Sequence, residues 1–352
     1  MKTTLNNTEI LGISSVTPQK ELSLLDEKNL YNGNEKKLQR VINSSGFLKR
    51  RVVDFKTTTS DLCEFAAKDL FKNLKINPNE IDALLFLSYT PDYIMPATSY
   101  ILHQKLNLSK ECICMDIPQA CSGFVLGLFQ ASALINSGCK KVLLLVGDTF
   151  SKFSDMFIDN SAPVFGDGAS AILIHENKNA KPIYFNIKSD GNKHNSLICK
   201  NGGFRNPVKK ENFYDDNSFK YEAKMQGAEI FSFTLEEISP SIEELLNYSK
   251  INKDEIDYFA FHQANKFIIE NIALQLNINE SKVLKGTLSK YGNQCGASIP
   301  CLLSETLNKN CSNNSYKMLF CGFGVGLSWA SAIAEIKNIY CSKILTYEDI
   351  NE

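Results

Sequence analysis

An internal duplication limits what this chain can fold into more than any other feature. At an offset of 175 residues, Leu70–Ser88 and Leu245–Gln263 agree at eight of nineteen positions, including Lys75/Lys250, Ile76/Ile251, Asn77/Asn252, Glu80/Glu255, Ile81/Ile256, Asp82/Asp257 and Phe86/Phe261. Two further segments recur in the same order: Lys141–Leu145 against Lys317–Cys321, and Phe165–Ser170 against Phe323–Ser328. One short match is within the reach of chance, whereas several in sequence imply two homologous halves. Each half alternates helical patterning with apolar runs such as Ala83–Ser88, and such strands need cover on both faces. The expectation is an α/β protein of two fused halves, 1–180 and 181–352, divided within the polar stretch Glu176–Pro182.

Composition bounds the function. With 352 residues, 43% of them hydrophobic, a large core is available. Lysine plus arginine number 38 and aspartate plus glutamate 39, so the overall charge argues for neither nucleic acid nor an anionic membrane as partner. Met1–Val16 lacks the basic start and apolar core of a signal peptide, and no run of about eighteen apolar residues occurs, so a cytoplasmic location is expected. Eleven cysteines, mostly in apolar segments, read as reduced thiols. Cys112 and Cys114 can share a strand face, but no second pair at zinc-ligand spacing follows, so no metal is expected.

Along the chain, the opening to Pro18 reads as an edge strand and Glu21–Ser45 as a polar helical region ending at Gly46. Phe47–Phe55 is strand-like, with Lys49, Arg50 and Arg51 read as solvated surface. Thr59-Ser60-Asp61 caps a helix through Leu74. Ser189–Tyr221 is polar and irregular, as expected of a surface excursion or lid, and Met225–Tyr248 returns to helix.

Chemistry gathers at Asp116–Phe124, where an apolar strand gives way to a helix and Pro118 blocks the strand's extension. Cys121 falls at that helix N-terminus, whose unpaired N–H groups and dipole favour thiolate over thiol, so it is the candidate nucleophile. Comparing the halves shows what only one of them carries. Where the first repeated strand ends in Leu87-Ser88, the second ends in His262-Gln263-Ala264-Asn265, and a later turn reads Lys290-Tyr291-Gly292-Asn293-Gln294-Cys295. If equivalent loops converge about a pseudo-twofold axis, Cys121, His262 and Asn293 meet in one pocket. Cysteine, histidine and asparagine also occur in papain-like hydrolases, but on a fold that is not duplicated. A thiolate that accepts an acyl group, with two neutral donors, suits stabilisation of a thioester enolate or oxyanion.

These residues, with their flanks, resemble the β-ketoacyl-acyl-carrier-protein synthase III family of the thiolase superfamily. The motifs are Q-A-C-S-G-F at Cys121, F-G-D-G-A at Phe165–Ala169, M-Q-G-A-E-I-F at Met225–Phe231, H-Q-A-N at His262, Y-G-N-Q-C-G-A-S-I-P at Tyr291–Pro300 and G-F-G-V-G-L-S-W at Gly322–Trp329. The resemblance implies a five-layered αβαβα thiolase fold, a homodimer and no resident cofactor, with a coenzyme A thioester and an acyl-carrier protein as partners. It also implies that Cys121 is acylated while the backbone N–H groups of Cys121 and Val325 hold the oxyanion, and that His262 and Asn293 promote decarboxylation of a malonyl thioester. Among positions tied to substrate, the chain departs from the family. Arg40 and Ser44 replace a tryptophan and an arginine near Gly46, and Phe267, beside Lys266, replaces an arginine used in carrier docking. Met95 matches the residue that reaches into the partner subunit's primer pocket. Transfer to a hydroxyl or amine acceptor without decarboxylation is the alternative. A 3-hydroxy-3-methylglutaryl-CoA synthase has no use for Asn293 in this role, and a silent carrier-binding subunit would have no need of all three site residues.

Overall fold

In the computed structural model, which describes residues 1–27, 33–152, 164–210, 223–308 and 314–348, the duplicated module is built twice from the same anchors. Helix Thr59–Leu74 stops at Lys75 (φ 55°) and helix Ser239–Ser249 at Lys250 (φ 58°), both left-handed caps. Asn77 then accepts from the N–H of Asn79, and Asn252 from that of Asp254, to open one short turn of 3-10 helix in each half. Asp82 Oδ2 accepts from the N–H groups of Lys140 and Lys141 at 2.6 and 2.9 Å, and Asp257 Oδ2 from that of Lys317 at 2.7 Å. Glu80–Lys141 and Glu255–Lys317 ion pairs complete the match. The repeated identities are therefore the polar contacts that dock one strand beside the next.

Each half contributes a sheet, and the strand order repeats. In the first sheet Thr8–Pro18 is followed by Gly168–Glu176, Lys141–Asp148, Ala83–Leu87 and Ile113–Ile117; in the second Ile183–Ser189 is followed by Ser328–Lys337, Ser315–Gly324 and Tyr258–Phe261. A single parallel bridge from Val283 to Phe259 takes the fifth place in the second sheet. Helices Gly123–Asn136 and Ser298–Leu307 lie between the sheets, where Phe124, Leu128, Leu302 and Leu303 pack with Leu144 of one sheet and Phe320 of the other. Helix Thr59–Leu74 covers the outer face of the first sheet, and helices Ser239–Ser249 and Lys266–Gln275 that of the second. The layers run helix, sheet, helix, sheet, helix, as expected of a thiolase fold.

Three expectations are corrected. Thr8–Pro18 is no edge strand: it pairs with Gly168–Glu176 on one side and with Tyr340–Cys341 and Leu345–Tyr347 on the other. Lys2–Leu5, in turn, borders the second sheet beside Ile183–Ser189, so the tails of 1–180 and 181–352 exchange sheets. Within Glu21–Ser45, Glu21–Ser23 forms a strand against Lys49–Arg51, and the helix among the described residues is Glu35–Ser45. Arg50 is not solvated surface: its guanidinium is buried and pairs with Glu27 at 2.5 Å. Burial raises the Glu27 carboxyl above its usual range despite the Arg50 charge. Phe165–Ser170 and Phe323–Ser328 both lie at the join between the last two strands of their halves, but the second half makes that join in the turn 325–327, which contains a cis Gly326–Leu327 peptide. The first half spends residues 149–167 on it.

Candidate active site

Strand Ile113–Ile117 delivers the chain to a tight turn in which Gln119 N–H donates to Ile117 O at 2.8 Å and Gly123 N–H to Ala120 O at 2.7 Å. Helix Gly123–Asn136 starts there, leaving Cys121 just before its first turn and half-buried. The turn rests on the hairpin of the other half. A Cβ at Gly322 would stand 2.7 Å from Cys121 O, one at Gly324 would stand 2.9 Å from Cys121 Sγ, and the Ser122 and Ser328 hydroxyls are 2.8 Å apart. Only glycine lets the strand pass so close to the nucleophile.

Three groups meet at the sulfur. The Cys121 thiol lies well below its ordinary range, chiefly because the Cys295 thiol hydrogen-bonds to it; burial opposes the shift, and the His262 charge, the His262 hydrogen bond and the Val325 N–H reinforce it. Cys295 carries the converse effect: burial, then the Cys121 sulfur, push its thiol well above the usual value. The structure thus assembles Cys121, His262 and Val325 as the sequence suggests and adds Cys295, which sequence reading treated only as part of a motif.

His262 ends strand Tyr258–Phe261. Its N–H donates to Cys321 O at 2.8 Å, its ring meets Phe323 edge-on at 5.6 Å, and Nδ1 lies 2.7 Å from Ser298 Oγ. The remaining ring nitrogen, Nε2, is therefore the one toward Cys121. Asn293 is fixed from both halves. Its N–H donates to Val164 O at 2.8 Å, its carbonyl accepts from Gly166 N–H at 3.1 Å, and Oδ1 accepts from Cys295 N–H at 2.9 Å. With Oδ1 so held, the amide Nδ2 is the group left to act. Gly292 (φ 73°) and Gly166 permit this contact, for a Cβ at Gly166 would fall 1.9 Å from Tyr291 O. Asp167 secures the same junction by accepting from Val53 N–H and Ser151 N–H, both at 2.8 Å, while burial pushes its carboxyl up to about 6.

A pocket of about 480 Å³ opens over Cys121, lined mainly by apolar groups that include Tyr89, Phe150, Phe165, Leu197 and Ile198. Burial raises the Tyr89 hydroxyl to about 12, leaving it an uncharged wall. Leu197 and Ile198 belong to a hairpin in which Leu197–Cys199 pairs with Ala223–Met225, so the excursion expected over 189–221 does border the entrance; its residues 211–221 lie outside the described residues. Arg40, Met95, Lys266 and Phe267 stand apart from the sulfur. Arg40 is on exposed helix Glu35–Ser45, whose cap Gly46 packs on Lys266. Phe267 is half exposed and stacks on Phe231 at 5.4 Å, and Met95 is 76% exposed beside Tyr93 and Ile94.

Two duplicated α/β halves, with an activated cysteine where they meet, define a thiolase-fold enzyme of the acyl-transferring kind. Models of the "3-Oxoacyl-[acyl-carrier-protein (ACP)] synthase III" family and of its C-terminal portion match residues 115–191 and 246–336. A provisionally named 3-oxoacyl-[acyl-carrier-protein] synthase 3 of Campylobacter jejuni is 37% identical, over 99% of both chains. A β-ketoacyl-[acyl-carrier-protein] synthase III of Streptococcus gordonii is 34% identical over 84% of this chain and 90% of its own. The crystal structure of a 3-oxoacyl-(acyl-carrier protein) synthase from Burkholderia xenovorans superposes with a TM-score of 0.91, at 31% identity and over 99% of both chains. The chain belongs to the β-ketoacyl-acyl-carrier-protein synthase III family.

Proposed function

We propose that the protein catalyses the decarboxylating condensation of an acyl-CoA primer with malonyl-acyl-carrier protein, giving a β-ketoacyl thioester through an acyl-Cys121 intermediate. The observation that carries this reading is a thiol held below its ordinary pKa by Cys295, His262 and Val325 at the floor of an apolar pocket. The Cys121 thiolate attacks the thioester carbonyl, the N–H groups of Cys121 and Val325 stabilise the oxyanion, and coenzyme A leaves. Malonyl-carrier protein then places its thioester oxygen against His262 Nε2–H and the Asn293 amide. These two donors meet the charge that decarboxylation puts on that oxygen, each typically worth about 3 kcal/mol. The enolate carbon attacks acyl-Cys121 and releases the thiolate. No resident cofactor or metal has a step in this scheme.

Coenzyme A and carrier protein would be received at Arg40, Lys266 and Phe267, and Met95 would serve the partner subunit's pocket. Self-association is supported by strand Ile113–Ile117, which among the described residues ends its sheet without a further partner strand and exposes Ile113 and Met115. Among the described residues no helix is long and apolar enough to cross a membrane, and we assign the protein to the cytoplasm. Intact-protein mass spectrometry with a panel of acyl-CoAs, followed by malonyl-carrier protein, tests the scheme. The acyl mass should appear on Cys121 and vanish as β-ketoacyl-carrier protein forms. An acyl-enzyme that malonyl-carrier protein leaves untouched would replace condensation by transfer to another acceptor.

A further inference from the structure

We infer that Ser298 is a positioning residue that fixes which nitrogen of His262 carries the proton; this rests on the proposed role of His262. Ser298 opens helix Ser298–Leu307 and is 1% exposed. Its Oγ lies 2.7 Å from His262 Nδ1 and accepts from the backbone N–H of Gln263 at 3.4 Å. A serine hydroxyl has one proton to give. Among the described residues the sole acceptor within reach of that proton is Nδ1, because the oxygen's other contact comes from a donor. Were Nδ1 to carry hydrogen, Ser298 Oγ would face two N–H donors and its own proton would be buried without a partner, which proteins avoid. The satisfied arrangement is therefore Ser298 O–H donating to Nδ1, with Gln263 N–H donating to Ser298.

The consequence for chemistry is directional. An imidazole that accepts at Nδ1 bears its proton on Nε2, the nitrogen toward Cys121. That tautomer can donate to a developing thioester enolate oxygen; the other would present a lone pair and repel it. Ser298 thereby serves the decarboxylation half of the cycle and is not needed for acylation.

The chain has four histidines, so selective nitrogen-15 labelling of histidine gives a spectrum simple enough to read, with the His262 signals identified by their loss in His262→Ala. In the acyl-enzyme the His262 pattern should be that of the Nε2–H tautomer; an Nδ1–H pattern overturns the inference even if no variant is made. In kinetics, Ser298→Ala should take up acyl groups at the parent rate yet release carbon dioxide from malonyl-carrier protein about 10–100-fold more slowly, by analogy with the loss of a group that orients a metal-bound histidine. Ser298→Thr, which keeps the hydroxyl, should recover most of that loss. Where threonine does not fit, Ser298→Cys matches serine closely in size but offers only a weak donor, and should resemble the alanine variant. Normal decarboxylation by folded Ser298→Ala, alongside failure of His262→Ala, would reject the role of Ser298 and leave that of His262 intact. Normal decarboxylation by His262→Ala would remove the reading on which both depend.

Discussion

Gly324→Ala tests whether the site depends on a bare backbone beneath the nucleophile. Gly324 ends strand Ser315–Gly324 outside the left-handed region, so alanine suits its backbone and any effect is steric. The added methyl would lie 2.6 Å from Cys121 Cβ and 2.9 Å from Sγ. Comfortable contact needs about 3.5–4.0 Å, so Cys121 must retreat by about 1 Å. That retreat takes the sulfur off the Val325 N–H and the His262 ring and costs about 1–3 kcal/mol of stability as overpacking. Misplacing a reacting atom by this distance typically costs on the order of 10²-fold in rate. The assay is the rate of acyl mass gain by intact protein at saturating acyl-CoA, with circular dichroism to verify folding. Gly227→Ala, whose methyl would meet nothing within 4 Å, should acylate normally. A folded Gly324→Ala that acylates as fast as the parent would refute the account of how the turn is held.

Cys121→Ala should lose acylation entirely, whereas His262→Ala and Asn293→Ala should acylate and then stall, a division read from the same mass spectra. Because Cys295 is the largest cause of the lowered Cys121 pKa, alkylation by iodoacetamide should stay fast well below pH 9 in the parent and fall off at neutral pH in Cys295→Ala. For Asp167, folding raises the carboxyl from 3.8 to about 6, so its favourable contribution is complete below 3.8 and disappears as pH rises through 6; Asp167→Ala, which also orphans the Val53 and Ser151 N–H groups, should cost about 1–3 kcal/mol per lost partner in urea unfolding. Arg50→Ala strands the half-buried Glu27 carboxylate and should cost about 1–3 kcal/mol by the same measurement. Met115→Lys on strand Ile113–Ile117 should abolish the proposed self-association, read by light scattering as a monomer mass, with Cys121 still acylated.

What the sequence disclosed was whatever both halves must repeat. Asp82 and Asp257 recur because each satisfies the first N–H groups of an adjoining strand, a demand the backbone makes identically in both places. His262 and Asn293 were legible through the reverse, since each occupies one half only, and Cys121 through its place at a helix N-terminus. Properties that depend on a partner far along the chain were hidden. Arg50 lies in a basic run that looks like surface until Glu27 is brought over it. Cys295 adopts a left-handed backbone (φ 48°), and its thiol reaches a sulfur 174 positions away in sequence, which no local pattern announces. Ser298 reads as an ordinary helix start until His262 is set against it. The exchange of terminal strands was equally invisible, because Lys2–Leu5 and Leu345–Tyr347 are too short to declare a partner.

That exchange governs when the molecule can become itself. Residues 340–347 seal the flank of Thr8–Pro18, a strand made long before them, while Lys2–Leu5 must wait for Ile183–Ser189 before it has anything to edge. The early half therefore leaves the ribosome with one border of its sheet bare, and closure waits until residues 340–347 have emerged. A chain stopped at Lys337 should collect in the insoluble fraction although both helices between the sheets and every catalytic side chain have been made. Each half is fastened shut by a thread from the other, so neither can mature alone.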